Sequence, residues 1–326
     1  MTRSRRGAPG LDEERAVALF ARQFERARAS GVLTGIGDDA AVLARPGSRL
    51  VVTVDASVEG THFRRSLLSL EDVGFRAFHA ALSDLAAMGA TPLAALSALT
   101  LPRGFPARDL AALTRGQAEA AAGAGCPIVG GNVARAPLLS VTTTVLGRAR
   151  RTLGRDGARP GDECWLVGEV GLAAAGFALL ERASRGRTGA PARRCIEAWR
   201  RPRALVARGG GLLVRAHAAI DVSDGLAGDA TRLASASGCR LVLDERQLRR
   251  VLDPALVTVA ARLRRDPLAF ALYGGEDYAL VAAGNTARRP RWARPIGYFE
   301  PGTGGFLEDA AGRRGRLGGG YDHLAG

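Results

Sequence analysis

The chain has 326 residues, 47% apolar and 24% charged, which suits a globular protein of two domains with substantial cores. Its formal charge is +14, but all 46 basic residues are Arg, scattered with few aromatics among them and without a nucleic-acid-binding motif, so no nucleic-acid role is expected. The absence of any lysine excludes the P-loop and protein-kinase ways of holding ATP, because both depend on one.

In chain order, residues 1–10 are basic and contain Pro and Gly with no apolar core behind them, so they read as a flexible tail rather than a signal peptide. Leu11 to Ala29 has the spacing of a helix, with Val17, Phe20 and Phe24 on one face. Leu50–Val54 is a strand that runs into Asp55. Asp72–Met88 returns to helical periodicity through Phe78, Leu82 and Leu85, and Ala107–Ala122 forms a second helix. The short strand Pro127–Val129 meets Gly130 and Gly131, and Leu138–Leu146 is β-branched and extended. Residues 148–162 are rich in Arg, Gly and Pro and mark a junction, dividing an N-terminal domain (11–150) from a C-terminal one (151–326). Beyond it lie strand Cys164–Val167, helix Leu172–Arg182, strand Ala218–Val222, helix Leu226–Ala236 and strand Tyr278–Ala282. Alternating strands and helices predict a layered sheet-and-helix unit in each half.

The four cysteines are far apart and form no Cys-x-x-Cys pair, which fits a reducing cytoplasm and neither a zinc site nor a disulfide framework. The longest uncharged stretch, Leu85–Pro102, is broken by Gly89 and Pro92 and has few bulky residues, so no membrane span is expected.

The chemistry lies in acidic clusters, most of them just after apolar or β-branched runs: Gly37-Asp38-Asp39, Asp55 with Glu59, Ser83-Asp84, Asp221-Val222-Ser223-Asp224-Gly225, and Glu276-Asp277. A sixth, Gly130-Gly131-Asn132, has an amide where a carboxylate would complete the series. Gathered carboxylates bind hard cations, and hard cations bind phosphates. Asp84 sits among apolar neighbours, where a carboxylate needs a cation or several donors; a buried hydrogen bond from Ser83 is the plain alternative. Ser223 or Asp224 suits a helix N-cap, but a cap accounts for one acid of that pentapeptide and not two. His62 is equally a surface histidine or a ligand contact. A phosphate acceptor is already largely dianionic at neutral pH, so phosphate-to-phosphate transfer needs charge neutralisation and alignment more than a general base.

These motifs together resemble the thiamine-monophosphate kinase family. The resemblance is carried by Gly35–Ala41, Val54-Asp55 through Val58–Phe63, Leu82–Ala90, Gly157–Asp162, Asp221–Leu226, Gly274–Tyr278 and Gly320–His323, collinear from about residue 30 onward. The wider group includes aminoimidazole-ribonucleotide synthetase, hydrogenase-maturation and selenophosphate-synthetase enzymes. The resemblance implies an α+β homodimer of two-domain subunits, with the N-terminal sheet at the dimer interface and a C-terminal α/β sandwich. It also implies ATP and several Mg²⁺ acting on thiamine monophosphate to give thiamine diphosphate. Carried over position by position, Asp39, Thr53, Asp55, Asp84, Asp221 and Asp224 are metal ligands, with Asn132 at the sixth cluster. Gly131, Arg155 and Ser223 contact ATP, and His62, Glu276 and Tyr321 contact the thiamine moiety, where an acid and an aromatic face suit a cationic ring.

The chain departs from the family pattern at Asn132, where the family has Asp, at Ala81, where it has Asn, and at Arg76, near its usual Lys. Asn132 also fits a paralogue that binds nucleotide or thiamine phosphate with weakened turnover or none. An ATP-using relative with another phosphorylated or carboxylated acceptor is the remaining alternative.

Overall fold

The computed structural model describes residues 32–34, 36–182 and 189–318; the basic tail, the helix expected over Leu11–Ala29, and Tyr321 lie outside the described residues. Strands β1 (Val32–Thr34), β2 (Ala41–Arg45), β3 (Ser48–Val58), β4 (Thr91–Leu101), β5 (Ile128–Arg135) and β6 (Ser140–Ala149) make a six-stranded sheet in the order β1-β2-β3-β6-β4-β5. Neighbours pair antiparallel except β4 and β5, which are parallel and need a crossover. Helix α2 (Ala107–Ala124) supplies it.

Helix α1 (Leu70–Ala87) starts where Ser69 accepts a hydrogen bond from the Asp72 amide, with Glu71 and Asp72 favourably placed in its first turn. Fourteen of its 18 residues are buried, so it must be covered on more than one side. Phe75, Phe78, Leu82 and Leu85 pack with Val51 and Val145 of the first sheet. Ala86 and Ala87 instead meet Trp165, Leu212 and Leu280. Small residues let this second contact close: a Cβ on Gly209 would lie 1.8 Å from the Ala86 carbonyl oxygen.

The second sheet has β7 (Glu163–Val167), β8 (Ala218–Val222), β9 (Cys239–Asp244), β10 (Ala279–Gly284), β11 (Arg294–Pro301), β12 (Gly305–Glu308) and β13 (Arg314–Arg316), in the order β13-β12-β9-β11-β7-β10-β8. Alternate residues face opposite layers. Trp165, Val167, Ala219 and Leu280 face the α1 side with Leu212 of α5 (Val206–Leu212). Cys164, Leu166, Ile220, Val222 and Val281 join the larger core with α3 (Leu172–Glu181), α4 (Ala190–Arg200), α6 (Leu226–Ala236), α7 (Glu245–Val251), α8 (Pro254–Leu263) and α9 (Pro267–Tyr273). The chain is therefore a two-domain α+β protein of layered sheets and helices, and α1 lies between the two sheets.

Several boundaries differ from expectation. The first long strand does not stop before Asp55 but runs on to Val58, and Gly130-Gly131-Asn132 lies inside β5 rather than after a short strand. Strand β4 fills most of the uncharged stretch that carried no assignment; its small residues hid the alternation. All four cysteines are free and buried. Among the described residues, no helix is long and apolar enough to cross a membrane.

Candidate active site

Asp39 from the β1–β2 connection, Asp84 from α1 and Asp221 from β8 offer carboxylate oxygens that all lie within 4.8 Å of one another. Three distant segments thus meet at one point. Asp221 receives a 2.5 Å hydrogen bond from Ser83 Oγ, which also donates to the Ala80 carbonyl, and Thr53 Oγ1 donates to Asp84. Asp39 Oδ1 takes the Arg155 guanidinium at 2.5 Å, while Asp39 Oδ2 is buried without a hydrogen-bond partner. Arg155 is fixed in turn by Asp38, whose Oδ2 accepts from the Arg155 amide.

Burial raises the carboxyls of Asp39 and Asp221 above the usual range. Asp84 is pushed well above it by burial and then by the charges of Asp221 and Asp39. Such a group is unfavourable as three anions and favourable around a cation. The orphaned Asp39 oxygen, the all-oxygen donor set and the mutual raising of the carboxyls all fit a hard divalent ion.

The turn after β8 is built tightly. Gly225 has φ +114°, a conformation that side chains resist, and a Cβ there would lie 3.0 Å from the Leu272 carbonyl oxygen. Neither Ser223 nor Asp224 caps α6, which has no side-chain N-cap hydrogen bond, so the capping alternative is not realised. Instead, Asp229, one turn into α6, reaches back and accepts from the Ser223 and Asp224 amides at 3.1 and 3.0 Å. Arg232 joins Asp224 and Asp229, each at 2.6 Å. Nothing in the sequence separates Asp229 from an ordinary helix acid, so its role was not legible there.

Asp84, Asp221, Ser223 and Asp224 line a 670 Å³ cleft that also takes in Asp55, His62, Phe63, Phe177, Trp199, Gly275, Glu276 and Tyr278. One wall is the Gly274–Tyr278 segment, bound to the β8 turn through Glu276 N–H to Ser223 O (2.7 Å) and Tyr278 N–H to Val222 O (2.9 Å). Glu276 and Tyr278 both have left-handed backbone, φ 69° and 49°. Each such residue costs about 1–3 kcal/mol and persists where its surroundings fix it. Asp277 between them helps, accepting from the Gly171 and Ala173 amides at 2.6 and 3.0 Å. Arg76 pairs with Glu276 and donates to the Trp199 carbonyl, and Trp199 Nε1–H donates to Glu276 at 2.9 Å. His62 Nδ1 accepts from the Val58 amide at 3.1 Å, which orients its ring in the cleft.

The expected site residues therefore divide. Asp39, Thr53, Asp84, Asp221 and Arg155 meet around the acidic cluster, and Asp55, His62, Ser223, Asp224 and Glu276 line the adjoining cleft. Gly131 and Asn132 stand elsewhere, on edge strand β5, lining a separate groove of 960 Å³ with Gln117 and Cys126. Asn132 pairs with Ala98 in register and is exposed, so this chain by itself does not bring it to the three acids.

The chain matches the models for the AIR synthase related protein N-terminal domain over residues 37–149 and the C-terminal domain over residues 159–289. It is 32% identical to the thiamine-monophosphate kinase of Aquifex aeolicus strain VF5, covering 84% of this chain and 89% of that one. It is 37% identical to the thiamine-monophosphate kinase of Salmonella typhimurium strain LT2, covering 81% and 80%. A solved structure described as AaThiL complexed with AMPPCP and TMP superposes with a TM-score of 0.88 at 30% identity, covering 96% of this chain and 97% of the other. The hydrogenase maturation protein HypE in complex with ATP, at 20% identity and a TM-score of 0.68, shares the fold. With these sequence and structural matches over most of its length, the chain belongs to the thiamine-monophosphate kinase family.

Proposed function

We infer that the protein transfers the γ-phosphate of ATP to thiamine monophosphate, giving thiamine diphosphate and ADP. In this reaction a terminal oxygen of the acceptor phosphate bonds to the γ-phosphorus as the bond from that phosphorus to the β-phosphate oxygen breaks. The observation that carries this reading is the convergence of Asp39, Asp84 and Asp221, with one orphaned oxygen, beside a cleft that also presents Glu276 and aromatic rings. The acids suit metal-bound phosphates, and Glu276 with the rings suits an organic acceptor.

Asp39, Asp84 and Asp221 would hold Mg²⁺, with Thr53, Asp55 and Asp224 completing its surroundings. Bound there, Mg²⁺ would neutralise phosphate charge and favour in-line alignment. Arg155 adds a fixed positive charge and Ser223 is assigned to ATP, while for Gly131, which lines the separate β5 groove, that role rests on the family resemblance alone. His62 and Glu276 orient the thiamine moiety, with Tyr321 assigned to the same role. No side chain has to remove a proton from the acceptor phosphate, because its second ionisation, near pH 6, is largely complete at neutral pH.

The same reading assigns residues 11–150 and 151–326 to two domains joined through 148–162; the family matches, which break between residues 149 and 159, support it. It also makes the protein a homodimer through the first sheet. Val54 and Leu96, 63% and 40% exposed, lie on the face of that sheet turned away from α1, and a second copy would cover them.

The test is purified protein with Mg-ATP and thiamine monophosphate, assayed for thiamine diphosphate and ADP. Product at enzymatic rates supports the reading, and ATP turnover only with another acceptor overturns it. Asn132 supports a second reading, a nucleotide-binding paralogue of low turnover. ATP binding without product, with product restored by Asn132→Asp, would favour that one.

A further inference from the structure

We propose that Arg76 and Trp199 are positioning residues that clamp the Glu276 carboxylate, one on each oxygen, and so set how the cleft recognises its acceptor. Arg76 is 4% exposed and Trp199 2%, so neither presents much surface to a ligand, while the Glu276 side chain keeps 35% exposure. Arg76 pairs with Oε1 of Glu276, and Trp199 Nε1–H donates to Oε2 at 2.9 Å. The two clamping groups are themselves locked together. The Arg76 guanidinium donates to the Trp199 carbonyl and lies 5.1 Å from its ring centroid, and the Phe177 ring lies 5.1 Å from that of Trp199. Clamping both oxygens fixes the carboxylate plane on a backbone already held at φ 69°.

This arrangement has a chemical consequence. Arg76 neutralises most of the field of Glu276, so the carboxylate acts less as a free anion attracting any cation and more as an aimed hydrogen-bond acceptor. It is suited to a flat heteroaromatic ring bearing an N–H donor, such as an aminopyrimidine. This rests on the thiamine-phosphate reading above, and sharpens the earlier expectation that an acid there answers to the ring's positive charge.

Trp199→Phe keeps an aromatic ring between Phe177 and Arg76 but removes the N–H together with part of the buried ring, so its packing cost is read separately by melting temperature. Loss of a hydrogen bond to a charged group should raise the acceptor KM about tenfold, with the ATP KM little changed and the melting temperature lowered by the cavity alone. Arg76→Lys keeps the charge but cannot serve Glu276 and the Trp199 carbonyl together, so it should fall between wild type and Arg76→Met. The decisive comparison is a double-mutant cycle: in a Glu276→Gln background, Trp199→Phe should add little further loss, because its effect runs through the carboxylate. An acceptor in which the ring amino group is replaced by a carbonyl should lose affinity as Glu276→Gln does, although its thiazolium charge remains. Full additivity in the cycle, or a parallel rise in the ATP KM, would overturn the clamp. The same cycle is read by calorimetric titration with thiamine monophosphate, so a protein that binds without turnover sinks the kinase reading and leaves the clamp to be judged on binding.

Discussion

Asp84→Asn should stabilise the metal-free protein while disabling it. Asparagine has the same shape and still offers Thr53 an acceptor oxygen, so the local hydrogen bond survives. The substitution removes one of three charges whose oxygens lie within 4.8 Å of one another. At an effective dielectric of 20, each such pair of full charges repels by about 3.5 kcal/mol at that separation. Solvent screening and relaxation reduce this, so the relief should be nearer 1–2 kcal/mol, or about 1.5–3 °C in melting temperature for a chain of this length. In Mg²⁺ the order should reverse. Wild type gains stability by mass action, whereas the variant, one ligand short, loses cation affinity on the order of 100-fold and most of that gain. The assay is thermal melting in EDTA and across a Mg²⁺ titration, paired with ADP release under saturating substrates. A variant that melts lower than wild type in EDTA, or turns over within threefold of it, would refute the reasoning, because either result makes the cluster a structural network rather than a cation cage.

Three further outcomes follow from neighbouring groups. Burial raises the carboxyls of Asp229 and Asp277 to about 7, from 3.8 in the unfolded chain, so their favourable protonation is present at low pH and lost as pH rises from about 4 to 7; melts in EDTA should fall across that window, and Mg²⁺ should stabilise more at pH 8 than at pH 5.5. Ser83→Ala leaves Asp221 without its side-chain donor and should cost about 1–3 kcal/mol by chemical denaturation, with a higher Mg²⁺ requirement in turnover. A Cβ on Gly116 would lie 1.8 Å from the Glu71 carbonyl oxygen where α2 crosses α1, so Gly116→Ala should destabilise by about 1–3 kcal/mol. Gly123→Ala on the same helix meets nothing within 4 Å and should instead stabilise by up to about 1 kcal/mol, read in the same denaturation series.

The legible parts of the molecule were those whose signal is local. The periodicity of Asp72–Met88 and the β-branched run before Asp55 place α1 and β3, because each element buries a stripe or face that the sequence writes out. Strand β4 was missed because Ala94, Ala95 and Ala98 give little contrast between its faces, and its pairing with β5 and β6 decides it. The acids Asp39, Asp84 and Asp221 were singled out because carboxylates beside apolar runs are costly, yet only the fold says they meet. Asn132 is the reverse case. Its sequence pattern grouped it with the acids, but the strand register sets it on an exposed edge. Trp199 gives no usable signal, since a Trp before Arg200 passes for ordinary packing, and Arg76 stands out only as a departure from the family's usual Lys, with nothing local to tie it to Glu276.

Helix α1 ties these observations into one geometry. Most of it is apolar, yet its buried polar residues include Arg76 and Ser83, with Asp84 beside them, and these three bind Glu276, Asp221 and Thr53. Arg76 and Asp84 are eight residues apart, which on an α-helix is about 12 Å of rise and a little over two turns, so they leave the axis about 80° apart. One rigid rod, buried between two sheets, therefore helps set the spacing between the Glu276 carboxylate and the acidic cluster. A loop carrying either group would leave that distance free to drift, and transfer between two bound phosphates is sensitive to errors of an ångström. Burying a guanidinium and a carboxylate in this helix is unfavourable for folding by itself. The arrangement makes physical sense if the spacing is what the helix preserves.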